Sequence, residues 1–152
     1  MCTGEVRSKG QQELMADIAN LKAGMETHGA KRGFMNAASP GVISLFLQNQ
    51  HYKTREAYLA ALADAMKEEY ETIVGSGLDL QLDCPDLALS RHMLFEDLSD
   101  DEFIAVAAMH VEALNHALRD IDPAHVRVHI CWGNYEGPHV CDIPMSKMFD
   151  TL

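Results

Sequence analysis

Two short segments of this chain alternate strictly between apolar and polar residues, and each is flanked by long helical patterns. Leu78, Leu80 and Leu82 alternate with Asp79, Gln81 and Asp83, and Val126, Val128 and Ile130 alternate with Arg127, His129 and Cys131. A strand sends successive side chains to opposite faces, so each segment has one apolar and one polar face. Central strands of an open doubly wound sheet are covered by helices on both sides and read as nearly continuous apolar runs. These strands do not. They ask for a helix layer on one side and a polar space on the other.

The helices are legible around them. Residues 11–28 carry Leu14, Ile18, Leu21 and Met25 on one stripe and stop at Gly29, which suits a helix end. Residues 54–74 carry Leu59, Leu62, Met66, Tyr70 and Ile73, with Thr54 placed to cap the start and Gly75 and Gly77 to end it. Ser99-Asp100-Asp101-Glu102 forms a capping box ahead of the stripe Phe103, Ala107, Val111, Leu114 and Leu118, and Asp122-Pro123 closes that helix. The acidic residues there are a solvated helix start favoured by the dipole. Met15, Met25, Met66 and Met109 read as core filler. Gly33 to Ala38 adds a third strand, and Met145 to Leu152 begins another helix.

This alternation predicts parallel strands joined by right-handed crossovers. A sheet polar on one face up to the C-terminal strand tips is what the interior of an eight-stranded α/β barrel needs, since its chemistry collects at that end. A whole barrel takes about 250 residues, and the chain has 152. The expected fold is therefore α/β, a partial (β/α)8 TIM barrel of about three βα units. Residues 1–152 are read as one segment internal to a larger catalytic domain.

Composition bounds the partners. With 47% hydrophobic and 23% charged residues the chain is an ordinary globular one. A net charge of -11 argues against nucleic acid and anionic membranes, which need clustered Lys and Arg. There is no apolar run of signal-peptide length at the start and none of the roughly 20 residues that span a bilayer, so a cytoplasmic setting is expected. The four cysteines then read as thiols rather than a disulfide framework.

His129 and Cys131 place two metal-grade ligands on one strand face, about 6.5 to 7 Å apart along the backbone. Zinc takes nitrogen at about 2.0 Å and sulfur at about 2.3 Å and prefers four ligands, so the pair is half of a zinc site. The competing reading is that Cys131 is a small core residue. Bound zinc deprotonates a coordinating thiol, which makes a substrate sulfur nucleophilic toward an electrophilic carbon and calls for an open coordination position. Asp83, at the same height on a neighbouring strand, can orient a cationic or hydroxyl group of the acceptor. Trp132 and Tyr135 offer an apolar wall. Ser39-Pro40-Gly41 reads either as a plain turn or as a substrate contact, and His92 as a loop residue. His139 and Cys141 repeat the ligand spacing and leave open a local four-ligand set of His129, Cys131, His139 and Cys141.

A family resemblance gathers these residues. Asn36-Ala37-Ala38-Ser39-Pro40-Gly41-Val42-Ile43, Glu56-Ala57-Tyr58-Leu59, Glu68-Glu69-Tyr70-Glu71-Thr72-Ile73, Leu80-Gln81-Leu82-Asp83-Cys84-Pro85-Asp86-Leu87-Ala88, and the run from Arg127 through Trp132-Gly133-Asn134-Tyr135 to His139 together resemble the C-terminal barrel of cobalamin-independent methionine synthase. They resemble more closely its single-barrel paralogues, which include the epoxyalkane:coenzyme M transferases. The resemblance implies a zinc-dependent thiol alkyltransferase in which His129 and Cys131 are the first two zinc ligands, while a glutamate and a second cysteine come from later strands that this sequence does not contain. It implies that Asp83 helps hold the amino group of homocysteine, with Ser39, Trp132 and Asn134 as further substrate contacts. The implied partners are a small-molecule thiol acceptor and an alkyl donor such as a methyl-folate. Methionine synthases carry a glutamate directly after that aspartate, where this chain has Cys84, as the paralogues often do. Thiol addition to an epoxide is the alternative within the family. A non-catalytic half-barrel that self-associates through its unpaired sheet edges is the alternative outside it.

Overall fold

Parallel pairing through a central strand organises the computed structural model, which describes residues 1–134 and 136–152. In chain order the elements are α1 (Gln11–His28), β1 (Phe34–Ala38), α2 (Pro40–Phe46), α3 (Arg55–Gly75), β2 (Asp79–Asp83), α4 (Ser90–Met93), α5 (Asp100–Leu118), β3 (Val126–His129) and α6 (Met145–Met148), with 3-10 turns at Pro85–Leu87 and Pro123–His125. The caps work as the sequence indicates. Gly29 enters the left-handed region at φ 67° to end α1, the Thr54 hydroxyl accepts the Ala57 N–H, and Ser99 and Glu102 close a reciprocal capping box on α5. Leaving a residue other than glycine in that left-handed cap would strain it.

The sheet order is β1-β2-β3, with both pairs parallel. In register, Met35 lies beside Leu80 and Leu80 beside Val126, whereas Ala38 lies beside Asp83 and Asp83 beside His129. The two faces differ as the alternation requires. Leu80 and Leu82 are fully buried in one core cluster with Tyr70 and Ile73 of α3 and Phe103 and Ala107 of α5. Burying each such side chain contributes about 1.5–3 kcal/mol. Asp79, Gln81 and Asp83 on the opposite face stay partly open to solvent. The chain is thus α/β, with its described helices and a three-stranded parallel sheet.

Several local features depart from the sequence reading. Met15, read as core filler, is 55% exposed. Ser39-Pro40-Gly41 is not a plain turn: the Ser39 hydroxyl caps α2 and Pro40 takes its first position, where a missing N–H costs nothing. Asp122-Pro123 does not close the long helix, since α5 ends at Leu118 and the Asp122 side chain instead caps the following 3-10 turn. Val128, expected beneath a helix layer, is 47% exposed. It sits on the edge strand, and the helices pack over β1 and β2.

A buried polar chain ties the strand ends to the helix layer. The Ser39 hydroxyl, just past β1, donates to Asp86 Oδ1 at 2.6 Å, and His110 of α5 meets Asp86 Oδ2 through Nδ1 at 3.0 Å. Arg55 of α3 contacts His110 Nε2 at 2.8 Å. A guanidinium only donates, so Nε2 accepts, and Nδ1 carries the proton that goes to Asp86. Ser39, Asp86 and His110 are each 1% exposed, a setting in which losing one partner strands the others at a cost of about 1–3 kcal/mol or more. Tyr70 adds a stitch by donating to the Ala38 carbonyl at 2.6 Å.

Gly41 fits under this chain because it has no side chain: a Cβ there would lie 2.0 Å from Asp86 Oδ2 and 2.7 Å from His110 Nδ1. Gly41→Ala is expected to cost about 1–3 kcal/mol by overpacking, seen as a lower urea midpoint with an unchanged slope. A midpoint equal to that of the unsubstituted chain would mean that the network has slack.

Candidate functional site

β3 ends at His129, and the backbone beyond it is held from two places. The Cys84 N–H, directly after β2, donates to the His129 carbonyl, and the Leu89 N–H, beyond the Pro85–Leu87 turn, donates to the Cys131 carbonyl, each at 2.9 Å. The polar face of the sheet reaches His129 beside Asp83. His129 Nε2 lies 3.8 Å from Asp83 Oδ1, and the two side chains are 51% and 50% exposed. Cys131 is half-buried, and its Sγ accepts the Gly133 N–H at 3.3 Å. Asp83 and His129 therefore stand side by side at the C-terminal rim of the sheet and Cys131 follows two residues on, but the three donor atoms do not converge within 4.8 Å of one another.

The remaining sequence candidates divide. Ser39 is buried, and its hydroxyl is taken up by Asp86 and the Val42 N–H, which gives it a capping and anchoring part. Trp132 donates its indole N–H to the Ile143 carbonyl at 3.2 Å, pinning the segment that leads into α6, whose Met148 is buried with Ile143. Asn134 is exposed, and Tyr135 lies outside the described residues. The four donors His129, Cys131, His139 and Cys141 are not drawn together. Among the described residues the side chains that do converge as metal donors are His92, His139 and Asp142. Sequence reading missed this group: His139 and Asp142 carry an i,i+3 spacing, but His92 joins them only through the packing of α4 against the segment after β3.

Cys84 directly follows Asp83, but burial, and next the Asp86 carboxylate, push its thiol up to about 12. It is a protonated core residue at neutral pH. A groove of about 390 Å³ lies at the other end of the strands, lined by Arg32, Phe34, Asp79, His125 and Arg127. It is crossed by an ion pair from Asp79 to Arg32 and a contact from Asp79 to His125 Nδ1, and Arg127 sits 3.5 Å from the Phe34 ring centre. These pairs and the cation–π contact account for the charges there. No helix among the described residues is long and apolar enough to cross a membrane.

The fold and site define an α/β protein with a parallel sheet and a histidine, a cysteine and an aspartate on its C-terminal rim. No protein-family model, curated protein or solved structure matches the chain.

Thiol accessibility gives a direct check on the rim. Cys131 and Cys141 are half-buried, whereas Cys2 and Cys84 are buried. A neutral aromatic disulfide reagent at pH 7.5 is expected to label Cys131 and Cys141 in the native chain and to reach Cys84 only after denaturation. Peptide mapping that finds Cys84 labelled as fast as Cys131 would refute the buried, protonated assignment.

Proposed function

We propose that this chain forms part of the rim of a zinc-dependent thiol alkyltransferase of the cobalamin-independent methionine synthase class, with three consecutive strands of a β/α barrel carrying His129 and Cys131 as two zinc ligands. The observation that carries the reading is His129 at the C-terminal end of β3 with Asp83 in register beside it, and Cys131 two residues on with its carbonyl held by the Leu89 N–H. One imidazole nitrogen and one thiolate fit a zinc ion as half of its usual set of four. They fit a site that is completed by donors from other strands better than a closed local one.

Within this reading, zinc supplies acidity to a coordinated substrate thiol, so that the acceptor reacts as a thiolate at neutral pH. The residues of the chain do the positioning. His129 at the end of β3 and Cys131 two residues on would supply the two ligands, and Asp83 directs the polar end of the acceptor from one strand away. Ser39 acts at a distance, through the Asp86 chain that fixes the strand ends. Position 84 offers a neutral buried thiol where the methionine synthases have a carboxylate. This favours an acceptor without the ammonium group of homocysteine, and with it the epoxide-opening branch of the class. The free cysteines suit a reducing, cytoplasmic compartment. Unpaired edges at β1 and β3 suit association with further strands, whether of a second copy or of a longer chain.

Zinc titration against a chromophoric chelator tests the assignment. The 152-residue chain is expected to bind zinc weakly through His129 and Cys131, to lose at least about tenfold in affinity at that site on His129→Ala or Cys131→Ser, and to turn over no thiol by itself. Tight binding with measurable alkyl transfer that both substitutions leave intact would sink it.

A further inference from the structure

His92 of α4 and His139 and Asp142 of the segment after β3 bring two imidazoles and a carboxylate to one place. We propose that they form a second site, distinct from His129 and Cys131, for a divalent first-row transition ion of the zinc type. The donor atoms of all three lie within 4.8 Å of one another. His92 Nε2 is 3.0 Å from Asp142 Oδ1, and His139 Nδ1 is 3.0 and 3.2 Å from the two oxygens of the same carboxylate. Two ligands held about 2.0 Å from a tetrahedral ion stand roughly 3.3 Å apart, so side-chain adjustments alone bring the three donors to coordinating distance.

The Cys141 backbone N–H also lies 3.3 Å from His92 Nε2, so the backbone of the segment after β3 packs against α4 at the same place as its side chains. The ring planes of His92 and His139 cross at 80° with centres 5.5 Å apart, so both rings reach the carboxylate without stacking.

The donor set selects the ion. Two imidazoles and one carboxylate suit zinc, iron, cobalt or nickel, whereas calcium and magnesium take oxygen ligands. Cys141 Sγ is not part of the converging group, so the site is free of thiolate, unlike the rim site. The His92 side chain is 10% exposed while those of His139 and Asp142 are 36% and 33% exposed. One side is thus walled by protein and the other is open, leaving a position for water or an exogenous ligand. Such an ion would also tie the segment after β3 to α4, because its ligands come from both.

Cobalt separates the two sites, because a thiolate ligand gives a near-ultraviolet charge-transfer band that nitrogen and oxygen ligands do not. The probe is Co2+ alone, added to the whole chain carrying His129→Ala and Cys131→Ser. The expected result is saturable binding of one Co2+ with visible d–d bands and no charge-transfer band, weakened at least about tenfold by a further His139→Ala or Asp142→Asn. Circular dichroism and thermal unfolding before metal addition confirm that these variants are folded. No saturable binding in the doubly substituted chain overturns the proposal, as does binding indifferent to both His139→Ala and Asp142→Asn. A charge-transfer band that persists there puts a thiolate in the site and overturns it as well. A charge-transfer band missing from the unsubstituted chain would count against the His129 and Cys131 assignment and leave this one standing.

Discussion

The register of β2 between its two neighbours is the constraint on which the remaining structure depends. Leu80 and Leu82 are wholly buried against α3 and α5, while Asp79, Gln81 and Asp83 look the other way. A slip of one residue would exchange the two faces, burying carboxylates without partners and exposing the leucines. The hydrophobic side of the sheet therefore sets the register. The register in turn puts Asp83 beside His129, and the Cys84 and Leu89 N–H groups then hold the carbonyls of His129 and Cys131.

The buried Asp86 carboxylate does for the strand ends what Leu80 and Leu82 do for the strand centres. Its oxygens accept one hydrogen bond from Ser39 and one from His110, and Arg55 fixes the tautomer of that histidine from the far side. Polar groups at this depth persist only when they are fully paired. The arrangement is directional where the leucine contacts are not. It holds the loops after β1 and β2 against α5, and the rim residues leave the sheet from those loops and from β3. Burial that neutralises Cys84 comes from the same packing, so the one cysteine beside Asp83 is removed from thiol chemistry while Cys131 stays accessible.

The two proposed donor sets at the C-terminal edge of the sheet differ in character. His129 and Cys131 would pair nitrogen with soft sulfur at the end of β3, whereas His92, His139 and Asp142 converge from two separate segments. The second set depends on contact between α4 and the segment after β3, which Trp132 supports by donating to the Ile143 carbonyl.

Much of this was readable from residue order, because it depends on neighbours in the chain. The period of two in 78–84, the helical stripes, the Ser99–Glu102 capping box and the stop at Gly29 are local effects, and the structure has them within a residue or so. The period of two expected over 126–131 is strand only as far as His129. What the sequence left open was long-range. It could not show that Ser39 would be drawn inward by Asp86, that His110 rather than an apolar side chain would fill the space under Gly41, or that His92 would meet His139 and Asp142. Nor could it show that Val128 would remain uncovered on the edge strand. Periodicity determines which side of an element is apolar, but which polar groups meet is decided only when packed elements bring distant segments together and each buried donor must find an acceptor.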